Sequence, residues 1–481
     1  MKKQQLVVIG NGMAGARTVE EILARGGRKQ FHITMLGAEP HGNYNRILLS
    51  NVLNGSQDAR EIFLHPLDWY AENDVTLHHG VQATSIDREA KRVLASDGQS
   101  IAYDKLIIAT GSRPFVPPLE GLTLPDGTPK PGVFVFRTID DCHKIAGYAT
   151  KSRRAVVIGG GLLGLEAARG LINYGCQVHV VHLASQLMET QLDETAGALL
   201  QSAMENMGLR IHLEKSTTAI LGDDMVTGLR FKDGSTLECD MVVISCGIRP
   251  NIEIARECGL QVERALVVND QMQAANDADV YAVGECAQHG GRVYGLVAPL
   301  WEQGRVLADV ITGANPDAAY RGSKLATKLK VMGLELASMG ITKASEDGDE
   351  TVQWVEKKRG RYKKLIIRNG VLVGAILLGE TGKAGYLMQS FERSTPLPED
   401  REHLLFDIGA PPKAATLTDM PDTARVCNCN GVSKGTIRDC VLTGKRNVAE
   451  VMAATRAGTG CGSCKGLVQE IVAWTCASTS V

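Results

Sequence analysis

An α/β chain of two interleaved βαβ units, a small α+β domain and a C-terminal helical module is the fold class that three features of these 481 residues predict. Two apolar runs end in glycine-rich turns and lead into helical patterns. A later block changes to short alternating strands. Four cysteines then fall in two close pairs, Cys427-Asn-Cys429 and Cys461-Gly-Ser-Cys464.

The first unit opens with the apolar run from Gln5, which ends in Gly10-Asn-Gly12-Met-Ala-Gly15 and continues as a helix to about Arg25. The second repeats this from Ala155 to Ile158, with Gly159-Gly-Gly161-Leu-Leu-Gly164-Leu-Glu166. The spacing has a mechanical reason: the first glycine makes the tight turn, the second lets backbone approach a pyrophosphate, and the third lets helix pack on strand. The helix N-terminus then faces the phosphate charge. One such turn is weak evidence of a nucleotide site, because glycine-rich turns are common. Two copies, joined by further strand-and-turn signals, are much stronger. Those signals are Leu106-Ile-Ile-Ala-Thr110-Gly111, Met241-Val-Val-Ile-Ser-Cys-Gly247, and Asp279-Val-Tyr-Ala-Val-Gly284-Glu285. Together they predict two interleaved Rossmann-like dinucleotide-binding domains, residues 1–115 with 245–317, and 116–244.

Residues 318–407 carry alternating strands such as Lys364–Arg368 and Val371–Leu378, with Asn369-Gly370 as the hairpin turn between them. This predicts the small α+β domain. Residues 408–424, with Pro411, Pro412 and Pro421, read as a linker. In the module at 425–481, Ser433 caps a helix reaching about Leu442, and Gly462 to Ser463 open another.

A formal charge of -2, with 22% charged and 44% apolar residues, describes an ordinary globular chain and gives no reason to expect nucleic acid or an acidic membrane surface. No apolar run reaches the ~18 residues of a spanning helix, and Gly159 to Leu165 soon meets Glu166. Met1-Lys-Lys followed by apolar residues imitates a secretion signal, but Gly10 and Gly12 interrupt it with the nucleotide-turn pattern. Of twelve cysteines, eight are scattered through apolar segments, which fits a reduced, cytoplasmic setting. Cys440 and Cys476 lie outside the paired spacing and read as buried apolar residues. The eleven histidines form no metal spacing. Four soft thiolates suit an iron–sulfur cluster or zinc, and the ligand chemistry alone leaves both open.

The combination resembles known families. Residues 1 to about 315 resemble the pyridine nucleotide-disulfide oxidoreductase superfamily, in its rubredoxin reductase and nitrite reductase large-subunit branch. Residues 425 to about 475 resemble the bacterioferritin-associated ferredoxin-like [2Fe-2S] domain. The joint order, with Tyr44-Asn-Arg46-Ile-Leu-Leu-Ser50 early and the cysteine pairs late, is similar to the N-terminal half of NAD(P)H nitrite reductase large subunits. It is also similar to the NADH-binding electron-transfer subunits of assimilatory nitrate reductases. Because the sequence stops at Val481, no sirohaem-bearing domain is expected, and with it no nitrite reduction.

What the resemblance implies can be placed on residues. FAD would lie on Gly10, Gly12 and Gly15. Gly37 stands where the adenosine-ribose acid usually ends the second strand, so Glu39 is expected to take that role. Asn45 and Arg46 are expected on the flavin side, an Arg being able to neutralise pyrophosphate, while a solvated loop charge is the bland alternative. Thr110, Gly111, Gly247 and Gly284 mark the turns beside the cofactors, and Glu285 stands where relatives bond the ribityl chain. The Leu296-Val-Ala298-Pro turn would face the flavin edge with helix N-terminal amides. Trp301 either packs near the ring or is a core aromatic. The nicotinamide cofactor would lie on Gly159, Gly161 and Gly164, with Glu166 as the catalytic-site carboxylate that positions rather than transfers protons.

His182 replaces the usual ribose acid of the second unit. No Lys or Arg occurs from Gly170 through Leu209, which favours NADH, while a protonated His182 keeps NADPH open. No cysteine precedes Cys142, and Ser50 and Asn51 stand where related reductases place a reactive Cys or Lys. A disulfide route is therefore closed, and FAD is expected to convert hydride into single electrons for a cluster on Cys427, Cys429, Cys461 and Cys464. The expected acceptor is a separate molybdenum-bearing nitrate reductase catalytic subunit. The alternatives are a nitrite reductase, rubredoxin, ferredoxin or another redox protein.

Overall fold

The computed structural model describes residues 2–331, 333–406, 417–418, 420–427, 430–459 and 464–478. Most of the expected linker, together with Cys429, Cys461 and the Gly462–Ser463 helix opening, lies outside the described residues. The chain divides into two units: 1–46 with 58–113 and 248–323, and 47–57 with 114–247 and 324–481.

The first unit is built on a nine-stranded sheet. Strand Gln4–Ile9 runs parallel between Phe31–Gly37 and Lys105–Ile108, and Asp277–Ala282 adds a fourth parallel strand beside Lys105–Ile108. Leu6, Val7, Val8, Leu106, Ile107 and Ile108 are all buried, which is why these strands read as unbroken apolar runs rather than as alternation. Helix Met13–Ala24 packs against helix Val297–Thr312 at Gly304, where a Cβ would come within 2.8 Å of the Thr18 hydroxyl. Arg25 Nε donates to Asp309 across the same pair at 2.6 Å.

The second unit holds a five-stranded sheet with Arg154–Ile158 between Met241–Ile244 and Gln177–Val181, all parallel. Helix Leu162–Asn173 follows its glycine turn, and the short helix Leu49–Leu53 packs on it: Tyr174 donates to the Leu53 carbonyl at 2.9 Å. An antiparallel five-stranded sheet follows, in which Arg361–Arg368 pairs with Val371–Leu378. Asn369 and Gly370 turn that hairpin with φ of 50° and 75°, left-handed values that Asn and Gly tolerate best. Helix Ala384–Arg393 buries Leu387 and Phe391 against Met339, Leu365 and Leu377. The cysteine module contains helices Lys434–Leu442, Val448–Thr455 and Lys465–Ser478 around Val426, Ile437, Val451, Val468 and Ile471. Ser433 Oγ accepts the Thr436 N–H, capping the first of these helices at the residue the sequence indicates. Cys440 and Cys476 are half-buried against the module's core.

Candidate functional site

Each glycine turn brings backbone closer than a side chain would allow. At Gly10, φ is +115° and a Cβ would lie 2.1 Å from the Ala109 oxygen; at Gly15 it would lie 2.2 Å from the Gly10 oxygen. At Gly12, in contrast, a Cβ would meet no atom within 4 Å. Gly12 starts helix Met13–Ala24 with no side-chain cap, so the first amides face open space. The second unit repeats the pattern. At Gly159, with φ of +122°, a Cβ would lie 2.1 Å from the Ser245 oxygen; at Gly164 it would lie 2.0 Å from the Gly159 oxygen; and at Gly161, which has no side-chain cap, it would meet no atom within 4 Å. Asn11 pins the first turn from the side, its Oδ1 accepting the Tyr70 hydroxyl at 2.7 Å and its backbone oxygen accepting Asn43 Nδ2 at 3.1 Å.

Within the first unit, Glu39 lies beside Tyr44 and Arg46. The Tyr44 hydroxyl donates to Glu39 at 2.6 Å, Arg46 pairs with the other carboxylate oxygen, and the guanidinium lies 4.9 Å from the centre of the Tyr44 ring. Burial alone would lower the Arg46 pKa. Tyr44, Glu39 and Glu285 outweigh it, so the guanidinium is held charged more firmly than usual. Asn45 is buried between them in sequence and ties its backbone to the Ile62 carbonyl at 2.8 Å. Glu285 accepts the Ser112 hydroxyl at 2.5 Å. Thr110 Oγ1 donates to the Asn251 carbonyl at 2.7 Å, and Asn251 Nδ2 returns a bond to the Thr110 carbonyl at 2.9 Å. Gly111 and Gly284 have positive φ, as does Gly247 of the second unit, and the Gly284 N–H donates to Gln303 at 2.9 Å. Ala298 lies in the first turn of helix Val297–Thr312, which also has no side-chain cap. In that helix, buried Trp301 Nε1 and Gln303 Nε2 have no partner among the described residues. Two orphaned donors and an uncapped helix start are what a bound polar ring system would satisfy, so the residues present fit a flavin dinucleotide.

In the second unit, Glu166 stands one turn into its helix. Burial raises its pKa to about 7, against the opposing pull of a Ser50 hydrogen bond and the Arg169 charge. His182 accepts the Gly160 N–H on Nδ1 at 3.1 Å and pairs through Nε2 with Glu189 at 3.0 Å. Burial pushes the Cys142 thiol up to about 12, which disfavours the reactive thiolate, and its Sγ donates to the Leu49 carbonyl. In the first unit Cys286 is likewise buried, with its pKa raised and its thiol donating to the Ile108 and Val283 carbonyls.

Cys427 and Cys464 are both buried in the module's apolar core, at 2% and 9% exposure. Two soft sulfurs from opposite ends of the motif thus converge on one core. Cys429 and Cys461 lie outside the described residues. Asn430 Nδ2, next to the first pair, bonds the Thr459 hydroxyl at 3.0 Å, which ties the two cysteine segments together.

Sequence reasoning passed over Tyr44, Ser112, Glu189, Asn11 and Tyr70 as site residues. Tyr44 and Asn11 stood inside quoted motifs. The others had no signal, because their partners come from distant segments.

Residues 4–304 match the pyridine nucleotide-disulphide oxidoreductase family, 326–395 the rubredoxin NAD+ reductase C-terminal domain, and 425–474 the BFD-like [2Fe-2S] binding domain. The chain is 44% identical over 99% of its length to a nitrite reductase [NAD(P)H] of Bacillus subtilis (strain 168), covering 58% of that protein. It is 42% identical over 98% of its length to an assimilatory nitrate reductase electron transfer subunit of the same organism, covering 60% of it. It therefore spans about three-fifths of both relatives. Among solved structures, the covalent putidaredoxin reductase-putidaredoxin complex superposes with a TM-score of 0.75 at 23% identity, over 85% of this chain and 97% of that one, a likeness of fold. No helix among the described residues is long and apolar enough to cross a membrane. With two glycine cradles open at their middle glycine and thiolates gathered in a [2Fe-2S] domain, the chain belongs to the pyridine nucleotide-disulphide oxidoreductase family, with FAD, a nicotinamide dinucleotide and a [2Fe-2S] cluster as its cofactors.

Proposed function

We propose that the chain is an NADH-oxidising electron-transfer subunit that delivers single electrons to a separate nitrate reductase catalytic subunit carrying molybdenum, in the cytoplasm. What carries the reading is the union, in one chain, of a two-dinucleotide oxidoreductase match and a [2Fe-2S] match, in the order of a 42% identical relative named as an electron transfer subunit. When bound, FAD supplies hydride acceptance and one-electron release, and the cluster supplies a one-electron outlet. Gly10, Gly12 and Gly15 would hold the FAD pyrophosphate, with Glu39 at its ribose, Asn45 and Arg46 neutralising charge, and Glu285 on the ribityl chain, oriented by Ser112. Thr110, Gly111, Gly284 and Ala298 would line the same cofactor, and Gly247 would mark a further cofactor-binding turn in the second unit. Gly159, Gly161 and Gly164 would hold NADH, with His182 at its ribose and Glu166 positioning the nicotinamide. Cys427, Cys429, Cys461 and Cys464 would ligate the cluster. Buried thiols without disulfides, such as Cys142, Cys239 and Cys286, support a reducing compartment.

The 44% identical nitrite reductase supports a second reading, in which the acceptor reduces nitrite. The test is to mix purified protein with NADH and ferricyanide, then with each catalytic partner and its substrate. Dye reduction with nitrate turnover supports the first reading. Dye reduction with nitrite turnover alone moves the assignment to the second, and no dye reduction sinks both.

A further inference from the structure

We infer that Glu189, held by His182, selects the nicotinamide cofactor that lacks a 2′-phosphate. A His–Glu pair would then do what a single acid does at the end of the second strand in other dinucleotide-binding domains. This rests on the proposed nicotinamide site and names its specificity residue.

His182 directly follows strand Gln177–Val181, and its backbone is fixed on both sides: its N–H donates to the His212 carbonyl at 2.8 Å and its carbonyl accepts the Lys215 N–H at 3.0 Å. The ring lies against the glycine turn. A Cβ on Gly160 would fall 2.9 Å from His182 Cγ and 2.6 Å from Leu187 Cδ2, so glycine is required there for the ring to sit as it does. Because Nδ1 accepts the Gly160 N–H, it carries no proton, and the ring proton is on Nε2. An imidazolium would have no lone pair for Gly160. Nε2 therefore donates to Glu189 Oε2 at 3.0 Å.

Glu189 is built into place as well. Met188, at φ +51°, donates its N–H to the Gly160 carbonyl at 3.1 Å, and Leu187 is fully buried beneath it. The carboxylate is 44% exposed at its side chain and keeps acceptor capacity beyond the one bond to His182. A ribose 2′-hydroxyl can donate to such an acceptor, whereas a 2′-phosphate meets like charge.

Among the described residues, the cations nearest in sequence to this turn are engaged elsewhere. Gly170 through Leu209 contains no Lys or Arg, and the Lys215 ammonium is held by Asp233 and Ser235. Arg210 lies at the far end of its strand, paired in register with His179.

The test measures binding of ADP-ribose and 2′-phospho-ADP-ribose by calorimetry to the flavin-loaded full chain, alongside kcat/KM for ferricyanide reduction with NADH and NADPH. Wild type should bind ADP-ribose more tightly, Glu189→Gln should shrink that preference on the order of tenfold, and Glu189→Lys should reverse it. His182→Ala should mimic Glu189→Gln. Equal binding of both probes by wild type, an unchanged ratio in both Glu189 variants, or binding of neither probe overturns the inference. If the binding ratio follows Glu189 but NADH reduces no dye, the inference stands and the proposed function falls.

Discussion

Ser50 hydrogen-bonds the Glu166 carboxyl group, and burial of that group outweighs the bond. The carboxyl consequently keeps its proton to about pH 7, where an exposed Glu would have lost it. Because the folded-state pKa lies above the unfolded value, the protonated group contributes stability at low pH. That contribution is lost as pH rises from about 4.5 to about 7. Glu166→Gln, permanently neutral, should raise stability relative to wild type by up to about 3 kcal/mol at pH 8, with the gain shrinking towards pH 4.5. Urea midpoints across that range check it, and a gain that grows on acidification would contradict it.

Arg46 joins Glu39 and the Tyr44 ring in a largely buried cluster. Arg46→Met removes the guanidinium that pairs with Glu39. It should cost about 2 kcal/mol of stability and lower the FAD retained through gel filtration, whereas Arg46→Lys should lose less of both.

The three glycines of the second turn should fail in different ways. Gly159→Ala and Gly164→Ala drive a methyl into backbone oxygen at 2.1 and 2.0 Å, so the melting temperature should fall. At Gly161→Ala the new methyl meets no protein atom within 4 Å, so melting should hold while ADP-ribose affinity drops on the order of tenfold.

Cys464→Ser should abolish the visible and paramagnetic signals of the cluster and loosen the module, since a metal site contributes folding energy to so small a core. NADH-driven ferricyanide reduction should survive, because that electron route ends before the cysteines. Loss of dye reduction along with the cluster would place the two in series for every acceptor.

Local features were legible in the chain. The Ser433 cap depends on bonds within one helical turn, the Asn369-Gly370 hairpin on two left-handed φ values, and the parallel core strands on unbroken apolar runs. The glycine turns were legible for the same reason, since their spacing is a backbone requirement. Relations between segments were not. Ser112 and Glu285 stand 173 positions apart, and only the pairing of Lys105–Ile108 with Asp277–Ala282 brings their ends together. Helix Leu49–Leu53, embedded in the first unit's sequence, belongs with the second unit because Tyr174 and Cys142 hold its carbonyls.

By itself, then, the order of residues determined which local elements form, where the glycine turns lie and which cysteines fall in close pairs along the chain, because these follow from backbone geometry and hydrophobic period over a few residues. The tertiary structure decided the protonation-bearing contacts: which carboxylate Arg46 pairs with, why Glu166 holds its proton, and that His182 bonds Glu189. Charge and burial are properties of neighbours in space, and those neighbours are set only when distant strands close on one another.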